Sequence, residues 1–167
     1  MYVHFIDTSV FTNIINVPGR NQQHDSVMKE LKDLLGQKDK NALILPYATI
    51  IETGNHIAHC GDGNQRRKAA EKFTECIEKT IHNKAPWQYY GNQLTPEDLE
   101  QICGQFPDFA MRGEGFGDLS IIRAYQKYKE ETPAVHKIRI WSVDTHLKGI
   151  YEETIEPVNI RNSKTNG

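Results

Sequence analysis

The chain has 167 residues, with 20 Lys and Arg against 22 Asp and Glu and a formal net charge of -2, so one domain is expected and bulk charge advertises no polyanionic partner. Any nucleic-acid contact must then rest on a local patch or on metal ions. No apolar run approaches the ~18 residues of a membrane helix, the start Met1-Tyr2-Val3-His4-Phe5 lacks the basic flank and apolar stretch of a signal peptide, and Cys60, Cys76 and Cys103, without CxxC spacing, read as thiols of a reducing, cytoplasmic compartment.

Val3 to Ile6 is a predicted strand, followed at once by Asp7-Thr8-Ser9, whose side-chain oxygens suit the orphan amides of a helix start. A short helix is expected from Val10 to Ile15, ended by Pro18-Gly19. From Ser26, the spacing of Val27, Leu31, Leu34 and Leu35 predicts an amphipathic helix closed by Gly36. Ala42 to Leu45, bounded by Pro46, fits a parallel strand covered on both faces, and Tyr47 to Ala58 follows as a helix. Arg66 to His82 carries Ala69, Ala70, Phe73, Ile77 and Ile81 on one helical face.

Residues 83 to 94 look irregular, with Pro86 and Gly91. Thr95-Pro96-Glu97-Asp98 is a helix start with a cap, a first-turn proline and two acids at the positive end; the helix is expected to stop near Gly104. Gly113, Gly115 and Gly117 make a flexible approach to Asp118, which is expected to open a helix over Leu119 to Glu130. Ile138 to Val143 is the next strand, followed by Asp144 and a short helix to Ile150. Ile155 to Ile160 is a last predicted strand. The domain is expected to span 1–160, with 161–167 a frayed polar tail. Strands alternating with helices argue an α/β fold, a central parallel sheet flanked by helices on both faces.

In such sheets ligands bind beyond the carboxyl ends of the strands. Asp7 and Asp144 each sit just after a strand, Glu52 lies in the helix leaving another, and Asp118 follows the glycine-rich turn. Four carboxylates gathered at one sheet edge repel one another unless cations offset the charge. Mg²⁺ or Mn²⁺ suits such oxygen ligands and can activate water against a phosphoryl group.

Phe5-Ile6-Asp7-Thr8-Ser9, Glu52 within Tyr47-Ala48-Thr49-Ile50-Ile51-Glu52, Gly117-Asp118-Leu119-Ser120-Ile121-Ile122 and Trp141-Ser142-Val143-Asp144 resemble the PIN-domain ribonucleases, including toxins of the VapC type. The resemblance extends over roughly residues 1 to 160. It implies metal-dependent hydrolysis of RNA phosphodiesters, with Asp7, Glu52, Asp118 and Asp144 as the four acidic positions. Thr8 or Ser9 matches the small hydroxyl residue after the first acid, and Ser142 the hydroxyl residue two before the last. It also implies an RNA substrate, an antitoxin partner where the protein is a toxin, and a homodimer. The segment 83 to 115 is longer than in compact members of the family.

Each acid has a plainer reading: Asp7, Asp118 and Asp144 as helix caps, Glu52 as a helix charge bordering the core. Glu114 reads as a loop acid. His56-His59-Cys60 lacks the second ligand pair of a zinc site, and the two histidines are expected on the exposed side of their helix. Arg66-Arg67-Lys68, Arg112, Arg123, Lys127 and Arg139 are candidate phosphate contacts or plain surface charges. Trp87, Tyr89 and Tyr90 fit core or partner-facing aromatics better than base-stacking ones. The leading function is a Mg²⁺- or Mn²⁺-dependent endoribonuclease. The alternative is a PIN-like RNA- or protein-binding module without turnover. An aspartyl-phosphate enzyme is disfavoured, because Ser9 stands where a second Asp is wanted.

Overall fold

The computed structural model describes residues 1–91 and 94–155. Among these residues, five strands form one sheet in the order β3-β2-β1-β4-β5. These are β1 (Tyr2–Ile6), β2 (Asn41–Pro46), β3 (Gln88–Tyr90), β4 (Lys137–Trp141) and β5 (Glu152–Thr154). β1 runs parallel to β2 and β4, with Phe5 opposite Ile44 and Ile140, and β3 lies parallel to β2. β5 alone is antiparallel, against β4. The helices are α1 (Thr8–Ile14), α2 (His24–Gly36), α3 (Tyr47–Ala58), α4 (Gly63–Ile81), α5 (Pro96–Met111) and α6 (Phe116–Glu131).

The two-residue period of the strands sorts the core into two layers. Ile6, Leu43, Leu45 and Trp141 face α1, α2, α3 and α4, meeting Phe11, Val27, Leu31 and Ile57. Val3, Phe5, Ile44, Ile138 and Ile140 face the other way, onto Ile102 of α5 and Leu119, Ile122 and Tyr125 of α6. The expected α/β sheet with helices on both faces is therefore the observed one. No helix among the described residues is long and apolar enough to cross a membrane.

Local chemistry sets the helix starts. In α4, Asp62 accepts from the Gln65 amide at 2.9 Å, and the Gln65 side chain answers the Asp62 amide at 2.9 Å. Thr95 and Asp98 do the same for α5. Asp98 also takes Arg123 at 2.8 Å and Lys127 at 2.9 Å, tying α5 to α6. The Lys127 ammonium and the Thr95 amide hold this buried carboxyl well below the usual carboxylate range.

Several boundaries differ from the sequence expectation. α5 continues past Gly104 to Met111, because Ile102, Phe106 and Phe109 carry its apolar stripe onward. Pro107 sits inside it with an exposed ring, where the carbonyl that loses its partner can turn to water. The segment 83 to 94 is not wholly irregular, since Gln88–Tyr90 adds the edge strand β3. α6 begins at Phe116, with Gly115 as its cap, so Asp118 is its third residue and not its opener. After Asp144 the chain makes turns instead of a helix: Lys148 donates to the Asp144 carbonyl at 2.8 Å, and Gly149 leaves helical geometry at φ +73°. The last strand comes earlier than expected, at Glu152–Thr154; the rest of the expected strand, 156–160, and the tail from 161 lie outside the described residues.

Candidate active site

The chain leaves β1 toward β2 on one side, while β4 lies on the other. The loops after β1 and β4 therefore diverge, which opens a crevice at the carboxyl ends of the strands. A cavity of about 400 Å³ lies there, and its wall includes Asp7, Glu52, Asp118 and Asp144. Four segments far apart in sequence thus bring the four predicted acids to one place. Thr8 and Ser9 line it too.

Asp7 caps α1 with extended backbone, φ -76° and ψ 159°. Its Oδ2 accepts from the Ser9 hydroxyl at 2.6 Å, the Ser142 hydroxyl at 2.8 Å and the Ser9 amide at 3.2 Å. Its Oδ1 is buried and has no hydrogen-bond partner. Burial lifts the Asp7 carboxyl above the ordinary range, and the Ser9 and Ser142 hydroxyls pull it part of the way back.

The two serines also join the strand ends. The Val143 amide donates to Ser9 Oγ at 3.1 Å and the Asp144 amide to Ser142 Oγ at 3.0 Å. Asp144 accepts from the His146 amide at 2.9 Å, so it does cap a turn, as its plainer reading held.

Glu52 projects from the second turn of α3, whose start is pinned to β1 by Thr49 donating to the Ile6 carbonyl at 2.8 Å. Its Oε2 accepts from Thr8 Oγ1 at 2.7 Å. On the far side it lies against Gly117, where a methyl group would stand 2.1 Å from the Glu52 carboxylate carbon. Asp118 accepts from the Gly115 amide at 2.9 Å. Both carboxyls are raised, first by burial; for Glu52 the Asp118 and Asp7 charges add to it, for Asp118 the Asp7 and Asp144 charges. Among the described residues, no three His, Cys, Asp or Glu side chains close to the spacing that would hold an ion directly.

Two wall residues carry no signal that the sequence reading used. Arg20 and His56 line the acidic cavity. His56 was expected on the exposed side of its helix; it is half-buried, four residues after Glu52 and so on the same face of α3. Burial, then the Arg20 charge, push its imidazole below the ordinary value. Arg20 follows the Pro18-Gly19 turn, which gives no periodicity to read.

Five of the basic residues singled out in the sequence are engaged elsewhere. Arg123 and Lys127 hold Asp98, Arg139 bonds Glu30 at 2.7 Å and His4 at 2.8 Å, Arg112 pairs with Glu114 at 2.8 Å, and Arg67 with Glu71 at 3.1 Å. Trp87 is core: it is buried, donates to Thr80 at 2.9 Å and meets Phe11 edge-on. Tyr90 packs on Phe5 and Tyr128, while Tyr89 is exposed. Beyond Glu52, a second cavity of about 360 Å³ between α3 and α6 is walled by Tyr47, Ile51 and Phe116. Its lining is mostly apolar, with Glu52, Asn55 and Ser120 as polar exceptions, and Glu52 belongs to both cavities.

No protein-family profile and no curated protein matches the sequence. Solved structures do. The crystal structure of VapC20 from Mycobacterium tuberculosis, a sarcin–ricin loop cleaving toxin, superposes with a TM-score of 0.52 at 18% identity, over 87% of this chain and 95% of that one. The chain has the PIN-like VapC fold. VapBC2 from Rickettsia felis, solved bound to a DNA fragment of its promoter, matches with a TM-score of 0.46 at 12% identity over 84% of this chain and 99% of that one.

Proposed function

We propose that the protein is a divalent-metal-dependent endoribonuclease acting as the toxin of a toxin–antitoxin pair in the cytoplasm. The observation that carries the reading is Asp7. Evolution of a mere cap needs one carboxylate oxygen satisfied; here Oδ2 takes three donors while Oδ1 stays buried and unpartnered beside a wall of three more acids. Raised carboxyls facing one another are a cost to folding that a cation would offset. The donor set is all oxygen, which fits Mg²⁺ or Mn²⁺ with part of its water shell retained.

Asp7, Glu52, Asp118 and Asp144 would hold the metal. Bound there, it would supply charge against the phosphate and lower the pKa of water. The chain's own task is to keep the acids in place. Ser9 and Ser142 fix Asp7 from two strand ends, Thr8 fixes Glu52, and the Gly115 amide fixes Asp118. Thr8 and Ser142 are positioning residues in this reading. The catalytic outcome is hydrolysis of a phosphodiester with the acids anionic.

The test is turnover of a structured RNA with Mg²⁺ or Mn²⁺ against EDTA, in the wild type and in Asp7→Asn and Asp118→Asn. Loss of at least a hundredfold in both variants, with circular dichroism unchanged, supports the site. Wild-type turnover in both refutes it. RNA bound by the wild type but never cut would make the protein a binding module. An antitoxin and a homodimer belong to the same proposal. The solution mass of the chain, alone and with the product of a small neighbouring gene, reads both, and a lone monomer in each case removes them.

A further inference from the structure

A third cavity adjoins the acidic one. It measures about 250 Å³ and is lined by Pro18, Gly19, Arg20, His56, His59 and Gly61, with Cys60 behind them. Arg20 and His56 belong to both walls, so the two spaces meet across these side chains. Their chemistry is opposite. The first cavity is walled by four carboxylates; the second has none, and its charged or polar groups are one guanidinium and two imidazoles.

Arg20 differs from the other candidate cations. It is the one Lys or Arg on the wall of the acidic cavity, and among the described residues its guanidinium makes no hydrogen bond or ion pair. It shares a wall with four acids and pairs with none of them, so its donor fork remains available to a planar or tetrahedral anion. Its charge does reach His56, whose imidazole is pushed below its ordinary value mainly by burial and then by Arg20. His59 turns Nδ1 to the Asn55 carbonyl at 2.8 Å, which leaves Nε2 as its free nitrogen. The turns at both ends of the cavity run through Gly19 at φ +77° and Gly61 at φ +47°, conformations open to glycine that keep side chains out of the entrance.

We propose that Arg20 and His56 hold the phosphodiester next to the scissile one, so that single-stranded RNA passes from the acids across these two side chains into the cavity edged by His59. This rests on the acidic cavity being the ribonuclease site. The RNA backbone cannot lie along the carboxylates beyond the metal, because each further phosphate would meet uncompensated negative charge. Across Arg20 it meets a positive charge instead. The guanidinium carries binding and His56 gives a single directional hydrogen bond; neither touches the reacting atoms.

The probe is a fluorescent single-stranded RNA 12-mer, read by anisotropy in Mg²⁺ on the Asp118→Asn background so that it stays intact, with turnover measured in parallel on otherwise wild-type protein. Arg20→Ala should weaken binding about tenfold and reduce the slope of log Kd against log salt by about one, since one phosphate contact is lost. Arg20→Lys should restore the slope more than the affinity, because the ammonium keeps the charge and loses the fork. His56→Gln should weaken binding a few-fold with the slope unchanged. In turnover, Arg20→Ala should raise KM with kcat nearly unchanged. Lys72→Ala, a variant of an exposed basic residue within α4, is the comparator and should change neither readout.

Arg20 is exposed in a loop, so loss of fold is not the expected cause of any effect. Unchanged affinity and salt slope in Arg20→Ala, while turnover still depends on Asp118, overturns the subsite alone. Turnover that survives Asp118→Asn overturns the nuclease site itself. A wild type that binds no RNA overturns both.

Discussion

Gly117→Ala separates stability from activity in a way that only the assigned position of Glu52 explains. The added methyl carbon would stand 2.1 Å from both the carboxylate carbon and Oε1 of Glu52, and 2.7 Å from Oε2. Ordinary contact begins near 3.4 Å, so the carboxylate must retreat by about 1 Å or more. Retreat stretches the 2.7 Å bond from Thr8 and moves one acid off the cavity wall. A charge-assisted bond of this kind contributes about 1.5–3 kcal/mol when well made, less where water reaches it. Against that, alanine in place of a helical glycine gains up to about 1 kcal/mol, and the yielding atom is the end of a flexible side chain. The two effects nearly offset each other, so the melting temperature should move by only a few degrees. Activity has no such compensation, and a misplacement of about 1 Å at a reacting centre costs on the order of a hundredfold. The assay is metal-dependent RNA turnover beside a thermal melt. Gly115→Ala is the comparator: its added carbon would meet nothing nearer than Asp118 Oδ2 at 3.6 Å, and its φ of -86° suits alanine. It should keep most of its turnover. A folded Gly117→Ala protein that cleaves at the wild-type rate would refute the placement of Glu52 in the working site.

Two further outcomes follow from the titrating groups. Burial raises the carboxyls of Asp7, Glu52 and Asp118, and neighbouring acids add to it for Glu52 and Asp118, so the folded protein binds more protons than the unfolded one just above the ordinary carboxylate range, and stability falls as pH rises through that window. At pH 7 in EDTA, Asp118→Asn should therefore melt higher than wild type. With Mn²⁺ at a hundredfold over Kd the wild type should gain ~2.7 kcal/mol, roughly 5–10 °C, and the variant much less; parallel melting curves with and without metal would count against the metal site. His4 works in the opposite sense. It is fully buried in β1, accepts from Arg139 at 2.8 Å, faces Asn41 at 3.0 Å, and burial pushes it down to about 4. The unfolded chain takes up a proton near pH 6.5 that the folded chain refuses, so stability is lost as pH falls from 6.5 toward 4, by about 3 kcal/mol in all. Urea unfolding of wild type and His4→Gln at pH 7 and pH 4.5 isolates this loss, and equal losses in both proteins would assign it elsewhere.

The acids were legible because each carries two signals at once: a carboxylate, and a place at a strand end, near a helix start or in the helix that leaves a strand. Asp7 and Asp144 follow Ile6 and Trp141 of neighbouring parallel strands by one and three residues, and chain order alone puts them at one edge. What the sequence could not show is rotation and reach. His56 faces the site because it lies one helical turn from Glu52, which the i to i+4 spacing contains but does not flag. Arg20 reaches it from a turn with no period at all. Arg123 and Lys127 look like a phosphate stripe in sequence; Asp98, a helix-capping acid on another element, claims both. Gly104 looked like the helix end, and the apolar stripe through Ile102, Phe106 and Phe109 outweighed it, as burial commonly outweighs propensity.

In the sequence, the cap and the ligand compete as readings of Asp7. In the structure they divide its two oxygens. Oδ2 receives the Ser9 amide and hydroxyl and the Ser142 hydroxyl, so the cap is real and fixes the carboxylate plane. With that plane fixed, Oδ1 has no rotational escape from a buried position without a donor. An unpaired buried oxygen costs on the order of 1–3 kcal/mol, and more when charged. Retaining it is intelligible where something outside the chain completes it. The same division recurs with weaker force around the cavity: Asp118 gives one oxygen to the Gly115 amide, Asp144 one to the His146 amide, and Glu52 one to Thr8. Each acid is anchored through a single oxygen, Asp118 and Asp144 by their own segments and Asp7 and Glu52 with the help of another, and all four line one cavity. Three local caps and a helix charge would each be satisfied independently and would have no reason to share a wall. Their convergence at the switch point, with Asp7 as the most buried of them and the one with a buried oxygen left unpaired, is the reason we propose a shared cation for the cluster.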